Sequence, residues 1–196
     1  MHIPKHFNIT DQDEIFSFIK KNAFGQLVSL VNGKLVATHL PILLSNDNKT
    51  LSAHVARINP QHIQLDGQQA LVIFSGPHDY ISPTWYESEN GVPTWNYQTV
   101  HIYGRCSTFD DAKKLQDQVE TLSDQYETNN PIPWNKTYKK TMLNAIIGIE
   151  IEIEEIECQF KLSQNKSARD QENVISELQQ IGALELAEAM QRVKKR

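Results

Sequence analysis

The chain has little cysteine, and its two thiols are far apart in the sequence. Cys106 and Cys158 are the only cysteines among 196 residues. The first ten residues, MHIPKHFNIT, contain no apolar run of the kind that signal peptides carry. We therefore expect a cytoplasmic protein, and in that reducing compartment both thiols should be free. A disulfide framework is not expected to hold this fold together.

Long apolar runs and an excess of basic residues are also absent. No stretch reaches the roughly 20 apolar residues that a membrane-spanning helix needs. The chain carries 19 basic and 24 acidic residues, which gives a formal net charge of -5. Dedicated nucleic-acid binders usually have a basic excess, because phosphate contacts dominate their affinity. The composition argues against a membrane protein and, more weakly, against direct DNA binding.

Several familiar catalytic and metal-binding motifs are missing as well. The sequence has no G-x-G-x-x-G, P-loop, G-x-S-x-G, H-E-x-x-H or C-x-x-C motif. The seven histidines are scattered between His2 and His101. We therefore expect no zinc site, and no sequence context supports a catalytic triad.

What the sequence does contain is a succession of short strands. Asn32-Gly33 is a strong hairpin signal, and Pro41 should fall at a strand edge or a bulge. Strands are predicted at 25–31, 34–44, 51–56, 70–75, 99–107 and 146–156. Many strands with hairpin turns and a few helices indicate an α+β fold that is mainly β. The closest architecture is a closed or partly closed antiparallel barrel.

Helical patterns lie between and after these strands. Helices are predicted at 11–22, 110–127, 136–144 and from 170 onward. Thr10 is expected to cap the first helix, and Gly182 to interrupt the last one. The inward stripe of the last helix is predicted to be Val174, Leu178, Ile181 and Leu184. We expect residues 1–165 to form the barrel domain and 166–196 a helical extension packed on it.

A first polar cluster ends the third predicted strand, in the order His54, Arg57, Asn59. Arginine offers a planar fork of donors that suits a phosphate or a carboxylate, and the other two side chains could add donors. Alternatively, Arg57 makes a surface ion pair and Asn59-Pro60 only turns the chain. These residues alone leave both interpretations open.

A second cluster is aromatic and lies in a stretch rich in proline. It contains two tryptophans and three tyrosines: Tyr80, Trp85, Tyr86, Trp95 and Tyr97. Such rings bring a large apolar area with a polar tip, which would suit a planar heteroaromatic ligand. The alternative is that the rings plug the mouth of the barrel core. From composition, ligand site and plug remain equally open.

Two further polar segments follow near the carboxyl end. Lys161, Ser163 and Asn165 would share one side of an extended segment and could face an anion, or they could belong to an ordinary connection. Basic residues in the tail 191–196 are best explained as complementing a helix dipole, and a nucleic-acid patch is the alternative.

Taken together, these motifs resemble the PaiB-type family of FMN-binding negative transcriptional regulators. The matching pieces, in order, are MHIPKHF, ATHLPILL, LSAHVARINPQ, GPHDYISPTWY, VPTWNYQTVHIYG and KLSQN. They span almost the whole chain. The resemblance implies an FMN-binding split β-barrel of antiparallel strands with peripheral helices, like that of flavin reductases and pyridoxamine phosphate oxidases. It also implies a homodimer with FMN in a groove at the subunit interface.

The resemblance further implies which side chains contact the cofactor. They are Thr38, His54, Arg57, Asn59, Trp95, Asn96, Lys161, Ser163 and Gln164. One departure from the family pattern bears on these contacts. Where a G-K-x-K-L-S-Q-N run is expected, this chain has Cys158-Gln159-Phe160-Lys161. One lysine that could contact phosphate is missing, so the FMN occupancy is left open.

The implied role is repression of sporulation or degradative-enzyme genes, with FMN as a flavin or redox sensor and without turnover. The alternative function is a flavin-dependent reductase or oxidase, because one fold hosts many activities. DNA could be contacted directly or through a partner protein. No catalytic residue and no metal ligand are predicted.

Overall fold

The computed structural model describes residues 1–88, 91–128, 130–132 and 134–194. It divides into two compact units that are interleaved along the chain. The first unit comprises Met1–Phe18, Ser75–Val100 and Glu157–Arg196, and the second comprises Ile19–Phe74 and His101–Ile156. The sequence-based division between residues 165 and 166 stays a prediction.

Seven strands form one sheet with the order β2-β1-β5-β6-β7-β4-β3. The strands are β1 (Phe24–Val31), β2 (Lys34–Pro41), β3 (Leu43–Leu44), β4 (Thr50–Ala56), β5 (Gln69–Ile81), β6 (Thr94–Phe109) and β7 (Ile146–Lys161). β1 pairs with β2 on one side and with β5 on the other, and β4 pairs with β3 and with β7. All four of these pairings are antiparallel. The predicted α+β class, mainly β, is confirmed.

The first hairpin forms where the sequence predicts it. Asn32 has φ 51° and Gly33 has φ 76°, the positive values that a tight two-residue hairpin turn requires. Pairing runs from Val31 opposite Lys34 to the far end of the hairpin. Pro41 is the last residue of β2, so its missing N–H ends the pairing there. The strand predicted at 34–44 is therefore two strands.

The three long strands extend further than the sequence pattern indicates. β5 continues past Ser75 through Gly76-Pro77, β6 already begins at Thr94, and β7 continues to Lys161. Glycine and proline are usual turn residues, but here pairing across the sheet overrides that local preference. The proline- and tryptophan-rich connection is consequently shorter than predicted.

The described residues include four α-helices beside the sheet: α1 (Gln12–Lys21), α2 (Ala112–Glu127), α3 (Ala168–Gln180) and α4 (Leu184–Lys194). The Glu14 N–H donates to Asp11 Oδ1 at 3.0 Å, so Asp11 caps α1 and the expected Thr10 cap is wrong. The helix predicted at 136–144 is a short 3-10 helix at Lys140–Ala145.

The stripe predicted for the last helix is half correct. Val174 and Leu178 are fully buried, whereas Ile181 and Leu184 are each 56% exposed. The reason is Gly182, whose φ of +83° ends α3 and turns the chain before α4 begins. α4 instead buries a new set, namely Leu186, Ala187, Ala189 and Met190.

Each unit has apolar side chains in its interior. In the first unit the Phe18 and Phe160 rings pack with centroids 5.0 Å apart. In the second unit Leu27, Leu51 and Ile149 are at most 1% exposed. Within the described ranges no helix is long and apolar enough to cross a bilayer. The last two residues of the basic tail, Lys195 and Arg196, lie outside the described residues.

Candidate functional site

A cavity of about 170 Å³, lined by apolar surface and several polar side chains, lies within the first unit. The chain builds it from the amino-terminal 3-10 helix, the segment before β6, the start of β6 and the turn after β7. Its lining residues are Phe7, Tyr86, Val92, Thr94, Asn96, Lys161, Ser163, Asn165 and Lys166. The predicted contacts Asn96, Lys161 and Ser163 are thus brought together, although they are distant in sequence.

The turn after β7 is shaped by Gln164, another predicted contact. Its Oε1 accepts the Leu162 N–H at 2.7 Å, and its Nε2 donates to the Phe160 carbonyl at 2.6 Å. Ser163 between them has φ +65°, a left-handed conformation that few non-glycine residues adopt. Gln164 therefore holds the turn that presents its neighbours to the cavity, and it does not line the cavity itself.

Asn96 and Ser163 form the buried floor of the cavity. They are 1% and 4% exposed, and Asn96 Nδ2 donates to Ser163 Oγ at 2.9 Å. The same amide lies 3.4 Å from Met190 Sδ on α4. Because these polar groups largely satisfy one another, the floor is fixed before any ligand binds.

Two ammonium groups supply the positive charge of the cavity. Lys161 donates to Thr94 Oγ1, and burial lowers the pKa of Lys161 below its usual value. Lys166 Nζ lies 4.6 Å from the centroid of the Tyr86 ring, a cation–π distance. Within the described lining no carboxylate accompanies them, so an anion is the matching ligand.

Tyr86 adds a polar atom that is not yet engaged. Its side chain is 8% exposed, and its hydroxyl oxygen is buried without a partner at hydrogen-bond geometry. Burial raises the pKa of Tyr86 more than the nearby Ser163 hydroxyl lowers it, and the Asp170 carboxylate adds to the rise. The hydroxyl therefore stays protonated and can donate. Buried polar groups are normally paired, so this hydroxyl is a candidate contact for a ligand.

The predicted contact Trp95 does not line the cavity. Side chains alternate along a strand, so Trp95 points to the face of β6 opposite Thr94 and Asn96. Its ring is 53% exposed and lies 6.2 Å from the Tyr80 ring and 6.5 Å from the His78 ring. This exposed aromatic cluster is a second surface of the first unit that a planar ring could cover.

The predicted contacts Thr38 and Asn59 belong to the second unit and are engaged there. Asn59 Nδ2 donates to Thr38 Oγ1 at 3.1 Å, and Thr38 Oγ1 donates to Gln61 Oε1 at 2.6 Å. Gln61 is fully buried and its amide also donates to Ser29 Oγ at 2.9 Å. This network joins the Pro60–Gln64 3-10 helix to the first hairpin.

Arg57 and His54 also lie in the second unit. Arg57 Nε donates to the Asn144 carbonyl at 2.7 Å, and Nη1 lies 3.8 Å from Asp110 Oδ2. His54 Nδ1 is buried without a hydrogen-bond partner, and burial lowers the pKa of its ring. Some of the guanidinium donors of Arg57 are therefore already used in contacts within the protein, whereas the Nδ1 atom of His54 has no hydrogen-bond partner. Both assignments stay predictions.

Six lining residues are absent from the cofactor contacts that the resemblance implies, although Tyr86 belongs to the aromatic cluster and Asn165 to the polar segment described above. The six are Phe7, Tyr86, Val92, Thr94, Asn165 and Lys166. Most of them fall inside motifs that were already singled out, such as MHIPKHF and VPTWNY. The motifs name the segments that line this cavity, but a motif does not show which of its side chains face inward.

Comparison with known proteins places the chain among flavin-related families. The model of the "Putative FMN-binding domain" family matches residues 1–155. "Protease synthase and sporulation protein PAI 2" of Bacillus subtilis is 41% identical over 187 residues, covering 91% of this chain and 89% of the relative.

Solved structures support the same fold. The flavocytochrome Anf3 from Azotobacter vinelandii has a TM-score of 0.67 at 13% identity, covering 81% of this chain and 72% of that chain. An FAD- and haem-binding protein from Mycobacterium smegmatis has a TM-score of 0.65 at 14% identity, covering 84% and 78%. The predicted split β-barrel is confirmed. The chain therefore belongs to the family of putative FMN-binding domains, and this membership supports FMN as its cofactor.

Proposed function

We propose that the chain is an FMN-binding negative transcriptional regulator and that its cavity holds the phosphate end of FMN. The observation that carries this proposal is the donor set of the cavity. Lys161 and Lys166 supply positive charge, and the unpaired Tyr86 hydroxyl supplies a further donor. Phosphate accepts several charge-assisted hydrogen bonds at once, so this set fits it.

The size of the cavity supports a shared site. Pockets for drug-sized ligands usually measure about 300–1,000 Å³, and this cavity measures about 170 Å³. It has room for the phosphate and neighbouring hydroxyls, and the ring system must lie outside it. We propose that a second copy of the chain covers the remaining part of FMN, which makes the regulator a homodimer.

FMN, when bound, supplies a ring system that accepts and releases electrons. The residues of this chain contribute binding and orientation. The two ammonium groups neutralise the phosphate, and the hydrogen-bonded, buried pair Asn96 and Ser163 fixes the cavity floor. Within the described cavity lining the side chains that can exchange a proton are Tyr86, Lys161 and Lys166, and no carboxylate or histidine accompanies them. A sensor therefore fits this site better than an enzyme with its own proton chemistry.

The regulatory part of the proposal is supported by the Bacillus subtilis relative, whose name links it to protease synthesis and sporulation. By this reasoning the chain represses sporulation or degradative-enzyme genes in the cytoplasm. Its formal net charge is -5. A negative net charge disfavours direct binding to DNA, so we propose that the chain acts on its genes through a partner protein. The alternative is a direct contact between the basic tail and DNA.

The cofactor assignment can be tested by titrating the purified protein with FMN and with riboflavin, which lacks the phosphate. We expect saturable quenching of FMN fluorescence and weaker binding of riboflavin. Lys161→Met and Lys166→Met should each reduce FMN affinity about tenfold, as expected for loss of one charge-assisted contact. Lys34→Met, in the exposed hairpin, is the matched control. FMN that leaves fluorescence and melting temperature unchanged would refute the assignment.

The regulatory assignment needs a separate experiment. Mobility shifts of promoter DNA, with and without FMN and with the last five residues deleted, would detect direct binding. Transcript levels in a deletion strain would detect repression by either route, and we expect them to rise. Unchanged transcripts refute the regulatory role. Oxidation of NADH by the FMN-loaded protein faster than by free FMN would instead favour a reductase.

A further inference from the structure

One wall of the cavity is formed by a segment outside the regular strands. Tyr86 follows the Pro83–Trp85 3-10 helix, which Ser82 caps through the Thr84 N–H at 3.3 Å. A Cβ on Gly91 would come within 2.6 Å of the Tyr86 ring, so only glycine allows this close approach. The position of Tyr86 thus depends on what holds this segment against the rest of the first unit.

The start of α3 holds it. Asp170 Oδ1 accepts the Glu87 N–H at 2.9 Å, and Asp170 Oδ2 accepts the Ser88 hydroxyl at 3.2 Å. The Asp170 N–H itself donates to the capping Ser167 Oγ at 3.0 Å. Asp170 is only 3% exposed although it is charged. A carboxylate this buried is retained only where hydrogen bonds compensate for its lost hydration.

Two neighbours of Asp170 reach the same segment. Arg169 Nε donates to Glu87 Oε1 at 2.9 Å, an exposed ion pair of small energetic weight. Lys166 lies over the Tyr86 ring. Lys166, Arg169 and Asp170 therefore all contact the segment 86–88. The hydrogen bonds to the buried Asp170 carboxylate are the strongest of these contacts.

Asp170 remains ionised in this setting. Desolvation by burial raises its pKa, but the hydrogen bonds from Glu87, Ser167 and Ser88 lower it more, so the net pKa lies below the usual value. The carboxylate thus keeps both oxygens available as acceptors near neutral pH. Its contacts are independent of the cavity lysines, which it does not bond directly.

We propose that Asp170 is the positioning residue of the cofactor cavity: by holding residues 86–88, it sets Tyr86 and Lys166 at the distances that recognise the FMN phosphate. The inference rests on the proposed function of the cavity. It assigns a cofactor role to α3, which lies beyond the residues 1–155 that the family model matches. The helical pair at the carboxyl end is then part of the binding site.

The experiment compares FMN and riboflavin affinities of Asp170→Ala and Asp170→Asn with those of the full-length wild-type chain. Asp170→Ala removes both acceptors and should weaken FMN binding about tenfold or more. Riboflavin affinity should change less than about threefold, because that ligand has no phosphate for the cavity to recognise. Asp170→Asn keeps one acceptor for the Glu87 N–H and should show an intermediate loss. It also keeps the test valid if the alanine variant fails to fold.

Asp111 provides the matched control. It caps α2 in the second unit by accepting the Lys114 N–H at 2.8 Å, and it has no contact with the cavity lining. Asp111→Ala should lower the melting temperature without changing the ratio of FMN to riboflavin affinity. A purely structural Asp170 would weaken both ligands alike, and that result would overturn the inference.

The outcomes separate the two proposals. If the wild-type chain binds FMN and Asp170→Ala binds it equally well, the positioning role is wrong and the proposed function stands. If the wild-type chain binds no FMN, both fall together. Hydrogen exchange of the Glu87 amide gives an independent readout in the ligand-free protein. Exchange should accelerate in Asp170→Ala and stay unchanged in Asp111→Ala, and equal exchange in all three proteins would contradict the inference.

Discussion

At the scale of single residues, a polar side chain next to a binding motif has two possible uses. Thr38 and Asn59 direct their hydrogen bonds inward to the buried Gln61, whereas Tyr86 keeps a hydroxyl without a partner. Sequence gives the same hydrogen-bonding capacity to all of them. Only the surroundings show which groups the protein has already used and which it leaves for a ligand.

Replacing Gln61 tests the structural role of that network. In Gln61→Ala the Ser29 hydroxyl and the Thr38 hydroxyl each lose a buried partner. We expect the free energy of unfolding to fall by about 2–3 kcal/mol, measured by urea denaturation. Gln64→Ala, on the same 3-10 helix but exposed, should cost less than half as much. Equal losses in the two variants would show that the buried network contributes no more to the free energy of unfolding than an exposed glutamine does.

The two cysteines make a pH-dependent prediction. Burial raises the pKa of Cys106 and of Cys158 to about 12. The folded state keeps these protons where the unfolded chain, with thiol pKa values near 9, releases them. The stabilising effect is complete below about pH 9 and declines as the pH rises toward 12.

Denaturation at pH 8 and pH 10.5 measures this effect. A Cys106→Ala, Cys158→Ala double variant should lose less stability across that interval than the wild-type chain does. Both thiols should also resist a thiol reagent at pH 8 until the protein unfolds, because the thiolate is the reactive form. Rapid labelling of the folded protein would contradict the assignment.

Sequence motifs predict which segments contribute to the site, but they do not predict contacts between distant segments. The KLSQN motif names Lys161 and Ser163, and both side chains line the cavity; their contact with a cofactor stays a prediction. Asp170 and Tyr86 depend on a contact between residues more than 80 positions apart. No local pattern encodes such a contact, so sequence reasoning could not find the role of Asp170.

At the scale of elements, features that depend on neighbouring residues are predicted from sequence, and features that depend on distant contacts are not. The Asn32-Gly33 turn was predicted correctly because its backbone angles depend on those two residues alone. The end of β5 was missed because Gly76-Pro77 locally favours a turn. Likewise, Ile181 and Leu184 are predicted to be buried because the helical periodicity is continued across Gly182, where the chain changes direction.

Two glycines in the second unit show how closely neighbouring strands and rings approach. A Cβ on Gly104 in β6 would lie 2.3 Å from the backbone oxygen of Glu152 in β7. A Cβ on Gly148 in β7 would lie 2.2 Å from the end of the Phe109 ring. A side chain can rotate away, but a backbone carbonyl within a sheet cannot.

We therefore expect Gly104→Ala to reduce the free energy of unfolding by about 2–3 kcal/mol, and Gly148→Ala by less. Adding Phe109→Leu should recover part of the loss in Gly148→Ala, because it removes the colliding ring. Thermal denaturation of the three variants measures both effects. A larger loss for Gly148→Ala than for Gly104→Ala would show that the strands can separate more easily than the ring can move.

At the scale of the whole molecule, cofactor binding and association should be linked. A ligand at 100 times its dissociation constant stabilises the folded state by about 2.7 kcal/mol. For a chain of this length we expect FMN to raise the melting temperature by roughly 5–10 °C. The proposed second copy predicts twice the mass of a single chain in sedimentation. A monomer that binds FMN with full affinity would refute the shared site.

The interleaving of the two units has a consequence for the history of the gene. The backbone passes from one unit to the other four times, after Phe18, Phe74, Val100 and Ile156. Joining two ancestral genes end to end produces a single junction. Neither unit can therefore have been acquired by one such fusion, and neither can be exchanged with a relative by one recombination event.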